Sequence, residues 1–216
     1  MAINLLKRGQ RIDIGLTKMT VGLGWDPNEG TGFDFDLDAS AILINEERKL
    51  PSDSGSYFIY YNNLCGRDFN EVAGFGHSGN DCINKNCENG IFGVRHTGDD
   101  PSGRNSDGDD EAILIDLSKV PSEVKEILFV VTIHEAKERR QNFGQVHNSY
   151  IRIVDESTGQ EVAKYELGED FSIETGIEFG RIYKKEGKWR FEASGIGYKE
   201  DLGFFLSKYY KGKIIK

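Results

Sequence analysis

The sequence predicts a mainly β protein: a β-sandwich of two packed sheets with a few short helices. Three observations carry this expectation. Apolar and polar residues alternate in many short runs, turn-forming residues punctuate those runs, and helix signals are sparse. A chain of 216 residues is long enough for one large β domain with a real core. The 38% apolar fraction is modest, but 13 Phe and 9 Tyr supply large buried areas.

Alternation begins at Arg11-Ile12-Asp13-Ile14 and returns over residues 39–44, 57–61, 150–154, 161–167 and 188–193. The run 127–133 is apolar apart from Thr132 and of strand length, which predicts a buried strand. Residues 112–117 predict another strand. The turn Ser157-Thr158-Gly159 predicts a hairpin between 151–155 and 161–165, and Glu186-Gly187-Lys188 one between 179–184 and 189–193. Asp26-Pro27-Asn28-Glu29-Gly30 predicts a further turn. Helix is expected as one turn at 121–125 with Pro121 in first position, as a charged segment at 135–141, and as an amphipathic close at 202–210. No linker or internal repeat divides the chain, so residues 1–210 read as a single domain. A Cys-containing insertion lies at about 63–90, and 211–216 form a basic tail.

The net charge of −9 argues against nucleic acid as a partner, since affinity for phosphate rests on Lys and Arg. It suits a cation site, and equally plain solubility. Residues 1–11 lack the apolar stretch of a secretory signal, and no apolar run is long enough for a membrane helix. Three cysteines do not suggest a secreted disulfide framework. The expected location is cytoplasmic.

Two acidic segments stand out. In Asp34-Phe35-Asp36-Leu37-Asp38, an extended backbone puts Asp34, Asp36 and Asp38 on one face and Phe35 and Leu37 on the other. Same-face neighbours on a strand lie about 6.6–7 Å apart, too far for one ion to take all three carboxylates. The alternative is a solvated strand face. The second segment, residues 99–111, holds Asp99, Asp100, Asp107, Asp109, Asp110 and Glu111 among glycines, and is either a cation loop or a mobile acidic loop. It is not an EF-hand, because Asp110 stands where that loop from Asn105 requires glycine. Hard oxygen donors in a large, irregular set favour Ca2+, and the surplus of carboxylates suggests two ions built mainly by 99–111.

These segments and several others resemble the TerD family of tellurite-resistance and general stress proteins, more closely its TerE and TerZ relatives. The similarity runs through Gly22-Leu23-Gly24-Trp25-Asp26, Asp34-Phe35-Asp36-Leu37-Asp38-Ala39-Ser40-Ala41, Tyr61-Asn62-Asn63 and Val94-Arg95-His96-Thr97-Gly98-Asp99-Asp100. It continues in Gly108-Asp109-Asp110-Glu111, Val131-Thr132-Ile133-His134-Glu135-Ala136, Arg139-Arg140-Gln141-Asn142-Phe143-Gly144-Gln145-Val146, Tyr165-Glu166-Leu167, Glu169-Asp170-Phe171-Ser172, Trp189-Arg190-Phe191-Glu192-Ala193 and Gly195-Ile196-Gly197-Tyr198. The resemblance implies a β-sandwich and calcium bound by the acidic loops. It also implies a non-enzymatic stress role associated with tellurite resistance. Partners would be other proteins of a stress-response complex, with a membrane-associated complex as one form. Carried over, the candidate ligands are Asp36, Asp38, Asp99, Asp107, Asp109, Asp110 and Glu111, with Asp34 and Asp100 beside them. The sequence departs from the family at Asp100, at Arg104 inside the acidic loop, and in the insertion.

The remaining motifs carry less. Cys65, Cys82 and Cys87 with His77 could form a zinc site, a disulfide with one thiol left over, or free thiols. Gly74-Phe75-Gly76-His77-Ser78-Gly79 matches a dinucleotide fingerprint by letter but lacks its strand and helix. No Gly-x-Ser-x-Gly elbow, P-loop or His-Glu-x-x-His is present. The alternative function, a metal-dependent hydrolase acting on phosphate esters, rests on the carboxylates alone. His96 and His134 read as structural, Glu135 to Arg140 as a solvated charged face, and Trp25, Trp189 and Phe191 as core aromatics.

Overall fold

Alternating strands with one apolar face need a second sheet to cover them, and this chain builds both. The computed structural model describes residues 4–66, 90, 92–104, 108–167 and 171–211. Its strands are β1 (Asn4–Leu5), β2 (Arg11–Asp13), β3 (Lys18–Gly24), β4 (Leu37–Ile44), β5 (Phe58–Ile59), β6 (Val94–His96), β7 (Glu111–Asp116), β8 (Glu126–Ile133), β9 (Tyr150–Asp155), β10 (Gln160–Glu166), β11 (Gly176–Lys185), β12 (Lys188–Glu192) and β13 (Ile196–Tyr198). One sheet has the order β1-β10-β9-β3-β7-β6, the other β2-β12-β11-β8-β4-β5, with β13 also on β11. Every pairing is antiparallel except β1 with β10.

The core follows from strand parity. Met19, Val21 and Leu23 of β3, Ile113 and Ile115 of β7, and Ile151 and Ile153 of β9 are buried at every second position. They belong to one cluster with Leu37, Ala39, Ala41 and Leu43 of β4, which stand opposite Ile133, Val131, Phe129 and Ile127 of β8. Burying a large apolar side chain of this kind contributes roughly 1.5–3 kcal/mol. β4 and β8 are buried along their whole lengths. Helix α2 (Leu202–Tyr209) lies against β11 of the same sheet, where Phe205 packs on Gly176. Its Phe205 and Tyr209 are buried, and the Tyr209 hydroxyl donates to Glu178 Oε1 at 2.8 Å. Lys208 of the same helix pairs with that buried Glu178. The described end of the tail, Lys211, pairs with Glu47 at 2.6 Å.

Both predicted hairpins form, β9 with β10 and β11 with β12. Other elements differ. The segment 121–125 is a turn closed by Val124 N–H to Pro121 O at 3.1 Å, not a helix, because β8 begins at Glu126. The charged segment shortens to α1 (Ala136–Arg139), bounded by Glu135 and Arg140 in left-handed conformation. Strand β5 is only Phe58–Ile59, since a 3₁₀ turn at Gly55–Tyr57 precedes it. β3 was not legible as a strand because Gly22 and Gly24 dilute its pattern. Gly24 is there for close approach: a Cβ would lie 2.6 Å from Cζ of Tyr150 on β9. Cys65 is buried and disulfide-bonded, which excludes it both from a Cys3His site and from the free thiols. His77, Cys82, Cys87 and the fingerprint-like Gly74–Gly79 stretch lie outside the described residues.

Gly24→Ala is expected to destabilise the protein by about 1–3 kcal/mol through overpacking against Tyr150. A urea midpoint unchanged from wild type would contradict this.

Candidate metal centre

Strand β4 enters the sandwich through the segment 33–36, which is held from the far end of β8. Gln141 Nε2 donates to Phe33 O at 3.0 Å and Asp34 O at 3.1 Å, and His134 N–H donates to Asp36 O at 2.8 Å. Asp36 precedes the strand and Asp38 is its second residue. Phe35 and Leu37 are buried as parity requires, but so are the carboxylates, Asp36 at 7% and Asp38 at 3% exposure. The solvated strand face is thereby ruled out.

The second acidic segment hangs from β6 and β7. Thr97 N–H donates to Ala112 O at 2.9 Å, and Ala112 N–H returns a bond to Thr97 Oγ1 at 3.1 Å, closing the base of the loop. Trp25 joins the segments. Its N–H donates to Asp110 Oδ2 at 2.9 Å and its indole Nε1–H to Phe35 O at 2.9 Å. Gly103, with φ +64, passes so close to the indole that a Cβ there would collide with it.

This scaffold brings Asp36, Asp38 and the exposed Asp99 together, each offering a carboxylate oxygen within 4.8 Å of the others. Among the described residues they are the group that could hold a metal. Among the described residues, 34–38 brings two carboxylates to this cluster and 99–111 brings one. Asp107 lies outside the described residues. The other candidates have protein partners. Asp34 pairs with Arg104 at 3.0 Å. Asp100 accepts from Ser102 N–H and Oγ at 2.9 Å. Asp109 pairs with Arg152 at 2.7 Å and accepts from the Tyr150 hydroxyl at 3.1 Å. Glu111, 1% exposed, accepts from Ala39 N–H at 2.7 Å across the sandwich and lies 3.3 Å from the buried His96 Nε2, outside good hydrogen-bond geometry.

Several residues that the sequence did not nominate complete the site. Thr132 stands directly opposite Asp38 on β8, and its buried Oγ1 has no hydrogen-bond partner among the described residues. Asp38, Tyr61, Thr132, His134 and Lys199 line one cleft of about 1030 Å³. Arg139 Nη1 donates to Asp36 Oδ2 at 3.2 Å. So Glu135 to Arg140 is not simply a solvated face. Burial raises the Asp38 pKa well above its ordinary value, reinforced by Glu111, Asp36 and Asp99. Burial also raises Asp36, opposed by His134, and Glu111, opposed by His96. The Tyr61 hydroxyl is pushed to about 12 by burial and then by Asp38. An orphaned buried hydroxyl beside three crowded hard-oxygen donors fits a cation such as Ca2+; the remaining oxygens would come from carbonyls and water.

The profile of the TerD domain matches residues 1–209. The chain is 41% identical to "General stress protein 16U" of Bacillus subtilis (strain 168), over 97% of each chain. It is 42% identical to "Tellurium resistance protein TerD" of Serratia marcescens, again over 97% of each. Tellurium resistance protein TerZ of Serratia marcescens is more distant, at 31% over 83% of this chain and 80% of that one, which corrects the expected closeness to TerZ. The crystal structure of a homologue of telluride resistance protein (TerD) from Streptomyces coelicolor A3(2) shares the fold, with a TM-score of 0.60 at 16% identity, covering 88% of this chain and 95% of that one.

A carboxylate whose folded pKa is raised stabilises the fold fully below its unfolded pKa, and that stability is lost as pH rises through the folded value. Without divalent cations, the melting temperature of Asp38→Asn minus that of wild type is therefore expected to grow as pH rises above the ordinary carboxylate range of about 4. Thermal melts in EDTA check this; a difference that is flat or shrinks would contradict it.

Proposed function

Because the chain belongs to the TerD domain family, whose relatives include tellurium resistance and stress proteins, we propose that it is a calcium-binding, non-enzymatic stress-response protein associated with tellurite resistance. The observation that carries this reading is the meeting of buried Asp36 and Asp38 with Asp99. Three carboxylates held this close repel one another, and two are withdrawn from the water that would screen them. A divalent ion relieves both costs and ties the 33–38 segment to the 97–111 loop. Its chemistry here is structural: it fixes the loops through which the protein contacts its partners. Asp36, Asp38 and Asp99 are the residues proposed to hold it, and a second ion would need Asp107 or other groups beyond this cluster.

The proposal extends to a cytoplasmic location and to partners that are proteins of a stress-response complex. Among the described residues no helix is long and apolar enough to cross a membrane. The phosphoesterase alternative gains nothing from the relatives, whose names are those of resistance and stress proteins.

Calorimetric titration with calcium is expected to show binding by the wild type, with a rise in melting temperature worth about 2.7 kcal/mol at a hundredfold excess over Kd. Asp38→Asn and Asp99→Asn are expected to lose both. No heat and no thermal shift at millimolar calcium would sink the reading.

A further inference from the structure

The candidate cation site already contains a cation of the protein's own. Arg139 is the last residue of α1 and is only 17% exposed at its side chain. Its guanidinium donates to Asp36 Oδ2 at 3.2 Å, reaches Glu135 Oε2 at 3.3 Å and lies 5.5 Å from the centroid of the Phe33 ring. It is thus bound on one side to a proposed ligand and on the other to its own helix. The helix has little slack, because the non-glycine residues on either side of it, Glu135 and Arg140, take left-handed φ values of 49° and 55°.

We infer that Arg139 is a built-in counter-ion that competes with a divalent cation for Asp36 and thereby sets the affinity of the site. This rests on the calcium reading above. Two independent observations mark the place as made for a cation. The buried, unpartnered Thr132 Oγ1 faces the same cleft as Asp38, and the protein has supplied a positive group to the carboxylate beside it. Among the described residues Asp38 has no such partner, its nearest basic nitrogen being His134 Nδ1 at 4.0 Å. The guanidinium neutralises part of the cluster when no ion is present, and repels any ion that arrives. Binding therefore weakens the Asp36–Arg139 bond, and through Arg139 and Phe33 it loosens the packing of α1 on the segment before β4. Arg139 is in this sense a specificity-determining residue. A monovalent ion gains too little from three carboxylates to displace the guanidinium, whereas a divalent ion gains twice as much per contact.

Arg139→Gln separates charge from positioning, because the amide can still donate to Asp36 while the charge is gone. Arg139→Lys keeps the charge. Calcium titration and melts in EDTA and in saturating calcium would be run on the full chain. Arg139→Gln is expected to bind calcium roughly tenfold tighter or more, the water-screened scale for a unit charge a few ångströms from a divalent ion. It should melt below wild type in EDTA, while Arg139→Lys stays near wild type in affinity. Binding by Arg139→Gln where wild type shows none would also support the inference. Wild-type binding with equal or weaker binding by Arg139→Gln would overturn the counter-ion role and leave the calcium reading standing. Absence of binding by either protein would overturn both.

Discussion

The structure depends on one electrostatic constraint: three carboxylates share a few ångströms at the mouth of a sandwich, and two of them are buried. Asp36 and Asp38 could have been solvated at little cost, yet both are buried at the start of β4, Asp38 opposite Thr132. A buried charge without a partner is among the most expensive features a fold can hold. The surrounding architecture reads as a response to it. Arg139 neutralises Asp36, burial and like charges drive Asp38 toward its protonated form, and Asp99 comes from a loop on the opposite sheet. The proposed divalent ion would turn the same crowding into a clamp between two sheets.

Polar stitches cross the sandwich where the apolar core stops. Glu111 of β7 reaches the amide of Ala39 on β4, and Trp25 following β3 holds both Asp110 and the carbonyl of Phe35. His96 closes the other side: its N–H donates to Leu64 O, and its Nδ1 accepts from Gly98 N–H. The acidic residues therefore divide by role. Asp110 and Glu111 hold the frame, Asp109 and Asp34 are matched with arginines, and Asp36, Asp38 and Asp99 face one another.

Much of the frame was legible in the sequence, because period-two alternation reports directly which face of a strand is buried. The β9–β10 and β11–β12 hairpins and the largely apolar β8 follow from that pattern and from the turns between them. β3 was hidden because its glycines make room for neighbours, Gly22 for Asp109 and Gly24 for the Tyr150 ring. The candidate site was only half legible. Composition located the acidic segments, but it does not separate a carboxylate that caps a backbone from one left for an ion. That distinction is set by partners far away in the chain: Arg152 for Asp109, Ala39 for Glu111, Arg139 for Asp36. Thr132 became part of the site only through the β4–β8 register, which no local pattern encodes.

The most direct measurement is anomalous diffraction from crystals grown with calcium. A peak among Asp36, Asp38 and Asp99, with oxygens at roughly 2.3–2.6 Å, is the expected result. Arg139 should then have withdrawn from Asp36. Diffraction to comparable quality with no peak there, or with calcium held only by other carboxylates, would contradict the central claim.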